Sequence, residues 1–351
     1  MDYNVDVCPA YCGRRVFNTS IYTCMACPWG SRPNASNFSL CQVCDHYLSV
    51  YDYLFLIYTL LLPALVQAAF IANFNRSIFR NTWHIERADV LVLLQHVASC
   101  CECLAAATLS LLLVEPVGSM RLIGCVGRSL ADWYPLFHNP VLEHTTTLQC
   151  TQEMVYPLYT MPLIYYGLLV PVVLTTRLCL VLCLFRSSRT QQRALKALYA
   201  ALYTVPALAL AHCTLSGLLY YAFPALLMTA ALMTNALQMA ACWKKGDDPL
   251  RGRIRVAEHN RCFSLLKALL EMPQALAVLL IHALIFAFAH FSLYYYPRGI
   301  KGAKHEQGLW VAPNVWTTVA TSLLFGPMPA AFYAITVRLS HPGVTDLLRT
   351  M

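Results

Sequence analysis

Apolar residues fall in long blocks along this chain, separated by short polar or basic segments, and the blocks are too long for the core of a soluble domain. About twenty consecutive apolar residues cross a ~30 Å hydrocarbon layer. Blocks of at least that length run over 51–72, 90–114, 154–177, 272–296 and 309–337. The block from Ala197 to Trp243 holds 47 nearly uncharged residues, and a single helix of that length would run about 70 Å, more than twice the layer. A fold-back is therefore expected there, with spans at 197–216 and 224–243. Gly217–Phe223 would be the turn, Tyr220 and Tyr221 would sit at the interface, and Pro224 would open the returning helix. The pattern predicts an all-α polytopic membrane domain of seven helices over 51–337 and a short cytosolic tail over 338–351.

The polar segments orient the spans. No Lys or Arg lies within 15 residues before Tyr51, while Arg76 and Arg80 follow the first block closely. The positive-inside rule then puts the amino terminus in the lumen and the carboxyl terminus in the cytosol. On that threading the segments assigned to the cytosol hold sixteen Lys and Arg and those assigned to the lumen eight, with Arg177 at the cytosolic rim of its span, free to snorkel. Composition agrees: 58% of the 351 residues are hydrophobic and 12% charged, where soluble domains are about one quarter charged. The net charge of +8 sits in short inter-span loops beside an anionic lipid face, so nucleic acid is not an implied partner and the bilayer is.

Residues 1–50 are different in kind. Met1–Arg15 lacks an apolar signal region, and six cysteines follow at Cys8, Cys12, Cys24, Cys27, Cys41 and Cys44, interleaved with sequons at Asn18, Asn34 and Asn37. Paired C-x-x-C elements suit zinc in a reducing compartment. In an oxidising one, a module this small needs disulfides because its core cannot hold it alone. The sequons and the lumenal placement favour a disulfide-rich cap, with connectivity left open. Cys125 and Cys150, in the next lumenal loop, are expected to pair with each other and fold that loop into a lid. A fourth sequon, at Asn75, falls on the cytosolic side.

Ionisable groups inside spans are functional candidates. Glu102 lies mid-span with no partner at helical spacing on its own helix, and a protonated form hydrogen-bonded to a neighbouring helix is the expectation. That reading predicts that Glu102→Gln is tolerated. His96, Cys100 and Cys103 share one helical face, at acceptable metal-ligand spacing, but packing residues are the favoured reading. His212, His282 and His290 read as core histidines. Cys179 and Cys183 stand one turn apart near the cytosolic rim, where S-palmitoylation and apolar filling are the two readings. No nucleophile elbow, zinc-protease motif, P-loop or Rossmann glycine pattern occurs on a suitable element, so neither an enzyme nor a cofactor or metal site is expected.

One region is more specific. Glu115-Pro116-Val117-Gly118, Asp132-Trp133-Tyr134, Asn139-Pro140, the run Cys150–Thr160 with Tyr156-Pro157-Leu158-Tyr159, Ile164-Tyr165-Tyr166, Tyr199–Tyr203 and Gly217–Pro224 with Tyr220 and Tyr221 follow in order across the middle third. These stretches resemble the JAMP family, endoplasmic-reticulum membrane proteins named for association with c-Jun N-terminal kinase; beyond about residue 240 the sequence departs from the family's pattern. The resemblance implies a non-enzymatic adaptor of the endoplasmic-reticulum membrane. Such an adaptor recruits proteasome subunits and membrane RING-type ubiquitin ligases during unfolded-protein stress and engages a stress kinase. In the basic loop 244–271, contact with anionic lipid is the favoured reading, and Arg251-x-Arg253-Ile254-x-Val256 offers a kinase-docking pattern as the alternative. A seven-span receptor and a transporter are the competing readings, the latter motivated by Glu102, Arg177 and the prolines within the spans.

Overall fold

The structure, a computed structural model, describes residues 8, 12–17, 21–28, 30–34, 39–75, 87–113, 122–125, 127, 130–134, 155–184, 188–244 and 273–295. The expected span at 309–337, the tail 338–351, the loop 245–271 with its Arg251–Val256 pattern, and Asn18, Asn37, Glu115, Pro116, Gly118 and Cys150 lie outside the described residues. The chain divides into two units, one of residues 1–76 and 87–221, the other of 77–86 and 222–351.

The amino-terminal module is built from two short antiparallel hairpins. β1 (Gly13–Phe17) pairs with β2 (Ile21–Met25), and β3 (Ser31–Asn34) pairs with β4 (Leu40–Val43). A parallel contact between Arg14 and Leu40 joins them in the order β2-β1-β4-β3. Four strands of four or five residues enclose almost no apolar core, and disulfides supply what packing cannot. Cys8 bonds Cys24, Cys27 bonds Cys41, and Cys12 is disulfide-bonded as well. The Cys27–Cys41 bridge crosses directly over Gly13, where a Cβ would lie 2.0 Å from one sulfur and 2.2 Å from the other. Any side chain there would displace the bridge.

The third bridge corrects the expected Cys125–Cys150 lid. Cys44 bonds Cys125, tying the module to the loop after the second helix. The strand pair β5 (His46–Tyr47) and β6 (Ile123–Gly124) lies beside it. Pairing Ile123 with Tyr47 brings Cys125 next to Cys44, a proximity set by the β-ladder and invisible to sequence spacing. The module is therefore not a closed cap; its last cysteine belongs to the membrane domain's lid.

Four helices among the described residues are long and apolar enough to cross a membrane. α1 (Val50–Phe74) starts at a capping box: Asp52 N–H donates to Ser49 Oγ and Ser49 N–H to Asp52 Oδ2. α2 (Arg87–Leu113) and α3 (Thr160–Leu184) follow. α3 begins six residues after the predicted start and ends seven beyond Arg177, because Val155–Tyr159 forms a turn and Arg177 does not end the helix. α4 covers Ser188–Lys244 without interruption, and this corrects the predicted loop at Gly217–Phe223. One glycine costs a helix only about 1 kcal/mol and Pro224 removes a single donor, so neither stops the helix here. α5 (Pro273–Tyr294) belongs to the second unit, where the Thr234 hydroxyl and His282 Nε2 lie 2.8 Å apart.

In lipid, helices associate through close packing and interhelical hydrogen bonds, since lipid tails are as apolar as leucine. The core of the first unit follows that rule. Cys103 and Ala106 of α2 meet Tyr165, Tyr166, Leu169 and Val173 of α3 and Leu198, Ala201 and Val205 of α4. The fully buried alanines 106 and 201 let the backbones approach. Pro63 leaves the Thr59 carbonyl without its helical donor, and two tyrosines from α3 serve that turn: Tyr165 donates to the Leu60 carbonyl at 3.0 Å and Tyr166 to the Thr59 carbonyl at 3.4 Å.

Candidate functional site

A polar junction joins α1, α2 and α3 inside the membrane domain. Glu102 of α2 is 2% exposed and Arg177 of α3 is 4% exposed. The Arg177 Nε–H lies 3.1 Å from both Glu102 oxygens and its Nη2 3.1 Å from Oε2. The Thr176 hydroxyl donates to Glu102 Oε1 at 2.6 Å. Gln67 of α1 closes the arrangement: its Oε1 accepts from Arg177 Nη2 and from the Ser99 hydroxyl, the latter at 2.7 Å.

This corrects the sequence reading of Arg177, while Glu102 is hydrogen-bonded to a neighbouring helix as expected. Arg177 does not snorkel at a rim, and Glu102 has a partner, 75 residues away in sequence. Two buried charges of opposite sign attract strongly where water is excluded, and the guanidinium fork matches a carboxylate. Gln67, Ser99 and Thr176 were missed. Their signal was available: Gln67, Gln95 and Ser99 interrupt otherwise apolar spans, and isolated polar residues in lipid act between helices. Three polar atoms here, Arg177 Nη1, Gln95 Oε1 and Gln67 Nε2, have no hydrogen-bond partner among the described residues. A cavity of about 10 Å³ lined by Gln95, Ala98, Arg177, Leu180, Val181 and Ala194 lies beside them. That is about the room one water needs.

The shared face of His96, Cys100 and Cys103 does not make a metal centre: among the described residues no group of three His, Cys, Asp or Glu is placed to hold one. Cys103 is buried in the helix core while Cys100 is exposed.

A second constellation gathers residues that carried the family resemblance. Trp133, in the short 3-10 helix Leu130–Trp133, stands 5.0 Å from Tyr220 of α4 and 6.0 Å from Phe55 of α1, ring centre to ring centre. Asp132 beside it is buried. Gly217 is needed for this approach, because a Cβ would come within 2.8 Å of Leu130 Cδ1 and 2.9 Å of Trp133 Cβ. The glycine expected to make a turn is instead a contact surface. Tyrosines engage the α4 ladder at this level. Gly217 N–H donates to Tyr134 Oη at 3.2 Å, and Tyr159 O–H donates to the Cys213 carbonyl at 3.0 Å. Tyr51 O–H donates at 2.7 Å to the Tyr220 carbonyl, which Pro224 cannot serve. The Tyr220 hydroxyl donates to Asp52 Oδ1 at 2.6 Å.

His212, fully buried, stacks on Phe55 and places Nε2 3.1 Å from the Tyr159 carbonyl. Tyr156 packs with Cys44, Cys125 and Met161, and its carbonyl accepts from Cys125 N–H at 2.8 Å. Tyr156-Pro157 thus anchors the disulfide-bonded lid to the start of α3, and Tyr221 stands edge-on to Tyr220.

Two sequons are placed. Asn34 lies in β3, with its Nδ2 donating to Gln42 at 2.9 Å. Asn75 is buried as the C-cap of α1, where its Nδ2 donates to the Ile71 carbonyl at 2.7 Å. The Asn75 sequon is thereby explained as a helix end.

Comparison with known proteins identifies the framework. The family model described as "JNK1/MAPK8-associated membrane protein" matches residues 8–342. The match continues well past residue 240, correcting the expected departure there. The human protein of that name is 32% identical over 348 residues, covering 97% of this chain and 96% of the relative, and the mouse protein is 31% identical over the same length. A Caenorhabditis elegans homolog is 28% identical over 355 residues, covering 96% of this chain and 94% of its own. No solved structure matches. With the family model matching nearly end to end, this chain belongs to the JNK1/MAPK8-associated membrane protein family.

Proposed function

We propose that this chain is an adaptor of the endoplasmic-reticulum membrane, not an enzyme. It brings proteasome subunits and membrane RING-type ubiquitin ligases to the membrane for degradation of misfolded proteins during unfolded-protein stress. Its cytosolic segments associate with a stress kinase of the c-Jun N-terminal kinase class. The observation that carries this reading is the family match across residues 8–342, to proteins named for association with JNK1/MAPK8. The inward-facing polar chemistry is compatible with it: Glu102 and Arg177 neutralise each other, which suits a scaffold.

The amino-terminal module is placed in the lumen, where disulfides form and persist, with glycans within Asn18, Asn34 and Asn37. The α1–α2 connection, the end of α3 and the carboxyl terminus face the cytosol, as the distribution of Lys and Arg favours. Hydropathy adds one further crossing over 309–337 to the helices described above.

Purification of the tagged full chain in mild detergent, with and without unfolded-protein stress, tests the reading by mass spectrometry of what co-purifies. Proteasome subunits, RING ligases and the kinase are expected above the level seen with an unrelated multi-pass protein of the same membrane. Recovery of none of the three above that level would refute the adaptor.

A further inference from the structure

Six cysteines among the described residues are free: Cys100, Cys101, Cys103, Cys179, Cys183 and Cys213. Their depth separates them. Cys100, Cys101 and Cys103 lie near the middle of the 27-residue α2, about 20 Å along its axis from the start. Cys213 sits beside the Trp133–Gly217 contact, at the lid end of the membrane domain, its carbonyl and Sγ both against Tyr159. Cys179 and Cys183 alone lie in the last two turns of α3, about 7 Å and 2 Å from its end at Leu184. They are one helical turn apart, so they share a face. Both are exposed, as are Leu178, Leu182 and Leu184 around them.

The side of the membrane follows from the other end of the same helix. Met161, one residue into α3, packs against Cys44 and Cys125, which are joined in a disulfide. A disulfide belongs to the oxidising lumen, so the opposite end of α3 meets the reducing cytosol. The sequence there continues into Arg186, Arg189, Arg193 and Lys196, residues suited to anionic headgroups. Two reduced thiols thus stand on the cytosolic half of α3, Cys183 at its end and Cys179 one helical turn deeper, on a lipid-facing strip with a basic flank. Long-chain acyl-CoA is presented at the cytosolic face, and juxtamembrane cysteines accept acyl chains there.

We infer that Cys179 and Cys183 are acceptors for S-acylation by long-chain acyl-CoA, delivered by a membrane acyltransferase of the cytosolic face. Each thiol sulfur attacks the thioester carbonyl. The carbon–sulfur bond to coenzyme A breaks, the cysteine thioester forms, and coenzyme A leaves as the thiol carrying the proton. No oxidant or reductant is consumed. The acyl chains lie along the exposed leucines of α3 and give the helix end a reversible second anchor. The inference rests on the orientation proposed above.

The test uses the full chain expressed in cultured cells. Disulfides are reduced and all free thiols blocked, hydroxylamine then cleaves thioesters, and a maleimide-polyethylene glycol tags each sulfur released. Two hydroxylamine-dependent tags are expected in the parent, one in Cys179→Ser or Cys183→Ser, and none in the double variant. Cys101→Ser and Cys213→Ser should keep two. Incorporation of an alkyne-bearing palmitate should follow the same pattern. Absence of tags from the parent, or tags persisting in the double variant, would overturn the assignment. Glycan shifts read on the same gel separate the two readings: glycans within Asn18, Asn34 and Asn37 without tags defeat acylation and spare the orientation, whereas a glycan on Asn75 defeats both.

Discussion

Glu102→Gln is the sharpest test of the polar junction, because the sequence alone predicts tolerance and the structure predicts damage. An amide would replace a protonated acid with little loss of hydrogen bonding. It cannot replace a carboxylate that neutralises Arg177 through contacts of 3.1 Å to both oxygens. Removing one partner of a buried pair costs about 3–5 kcal/mol. The glutamine retains one acceptor and Gln67 still accepts from Arg177 Nη2, so the lower end, about 3 kcal/mol, is expected. At about 2–4 °C per kcal/mol, the melting temperature in detergent should fall by roughly 6–12 °C. The pair is asymmetric. A guanidinium cannot shed its proton, but a carboxyl left alone can take one up, so Arg177→Met should do less harm than Glu102→Gln. The double variant Glu102→Gln with Arg177→Met carries no buried charge and should recover much of the loss, since replacing both partners is often close to neutral. Fluorescence-detected size-exclusion after a heating series reads all four proteins. An unchanged melting temperature for Glu102→Gln, or a double variant no more stable than Glu102→Gln, would refute the buried ion pair.

Other perturbations address the lid and its contacts. Gly217→Ala improves helix propensity by about 1 kcal/mol, yet its Cβ would press within 2.9 Å of Trp133; a net loss of about 1–2 kcal/mol is expected, and a gain in thermal stability would show that the glycine is not a contact surface. Tyr51→Phe should cost about 1–3 kcal/mol by leaving the Tyr220 carbonyl without a donor. Pro224→Ala restores the helical donor and should shrink that loss, so strictly additive melting shifts would rule out the shared carbonyl. Cys125→Ser should release Cys44 to maleimide labelling in denaturant without reductant; release of Cys150 in place of Cys44 would restore the lid first expected from the sequence.

Much of the architecture was legible in the order of residues because the bilayer imposes it. Apolar length near the thickness of the hydrocarbon layer marks a crossing wherever it occurs, and Tyr51–Ala72 and Val90–Val114 sit within a few residues of α1 and α2. The cysteine density of residues 1–50 likewise announced covalent closure, since so short a segment cannot enclose a core. The Trp133–Tyr134 and Tyr220–Pro224 stretches were recognisable as distinctive, though not as neighbours. What joins distant residues was decided only in three dimensions. Glu102 and Arg177 meet because α2 packs on α3 in one rotational setting, and no periodicity within either helix encodes that setting. Cys44 finds Cys125 through the register of two short strands. Gly217 looks like a turn residue in one dimension, since missing a side chain is all a sequence can report. Packing alone reveals that the missing Cβ makes room for Trp133 and leaves the helix unbroken.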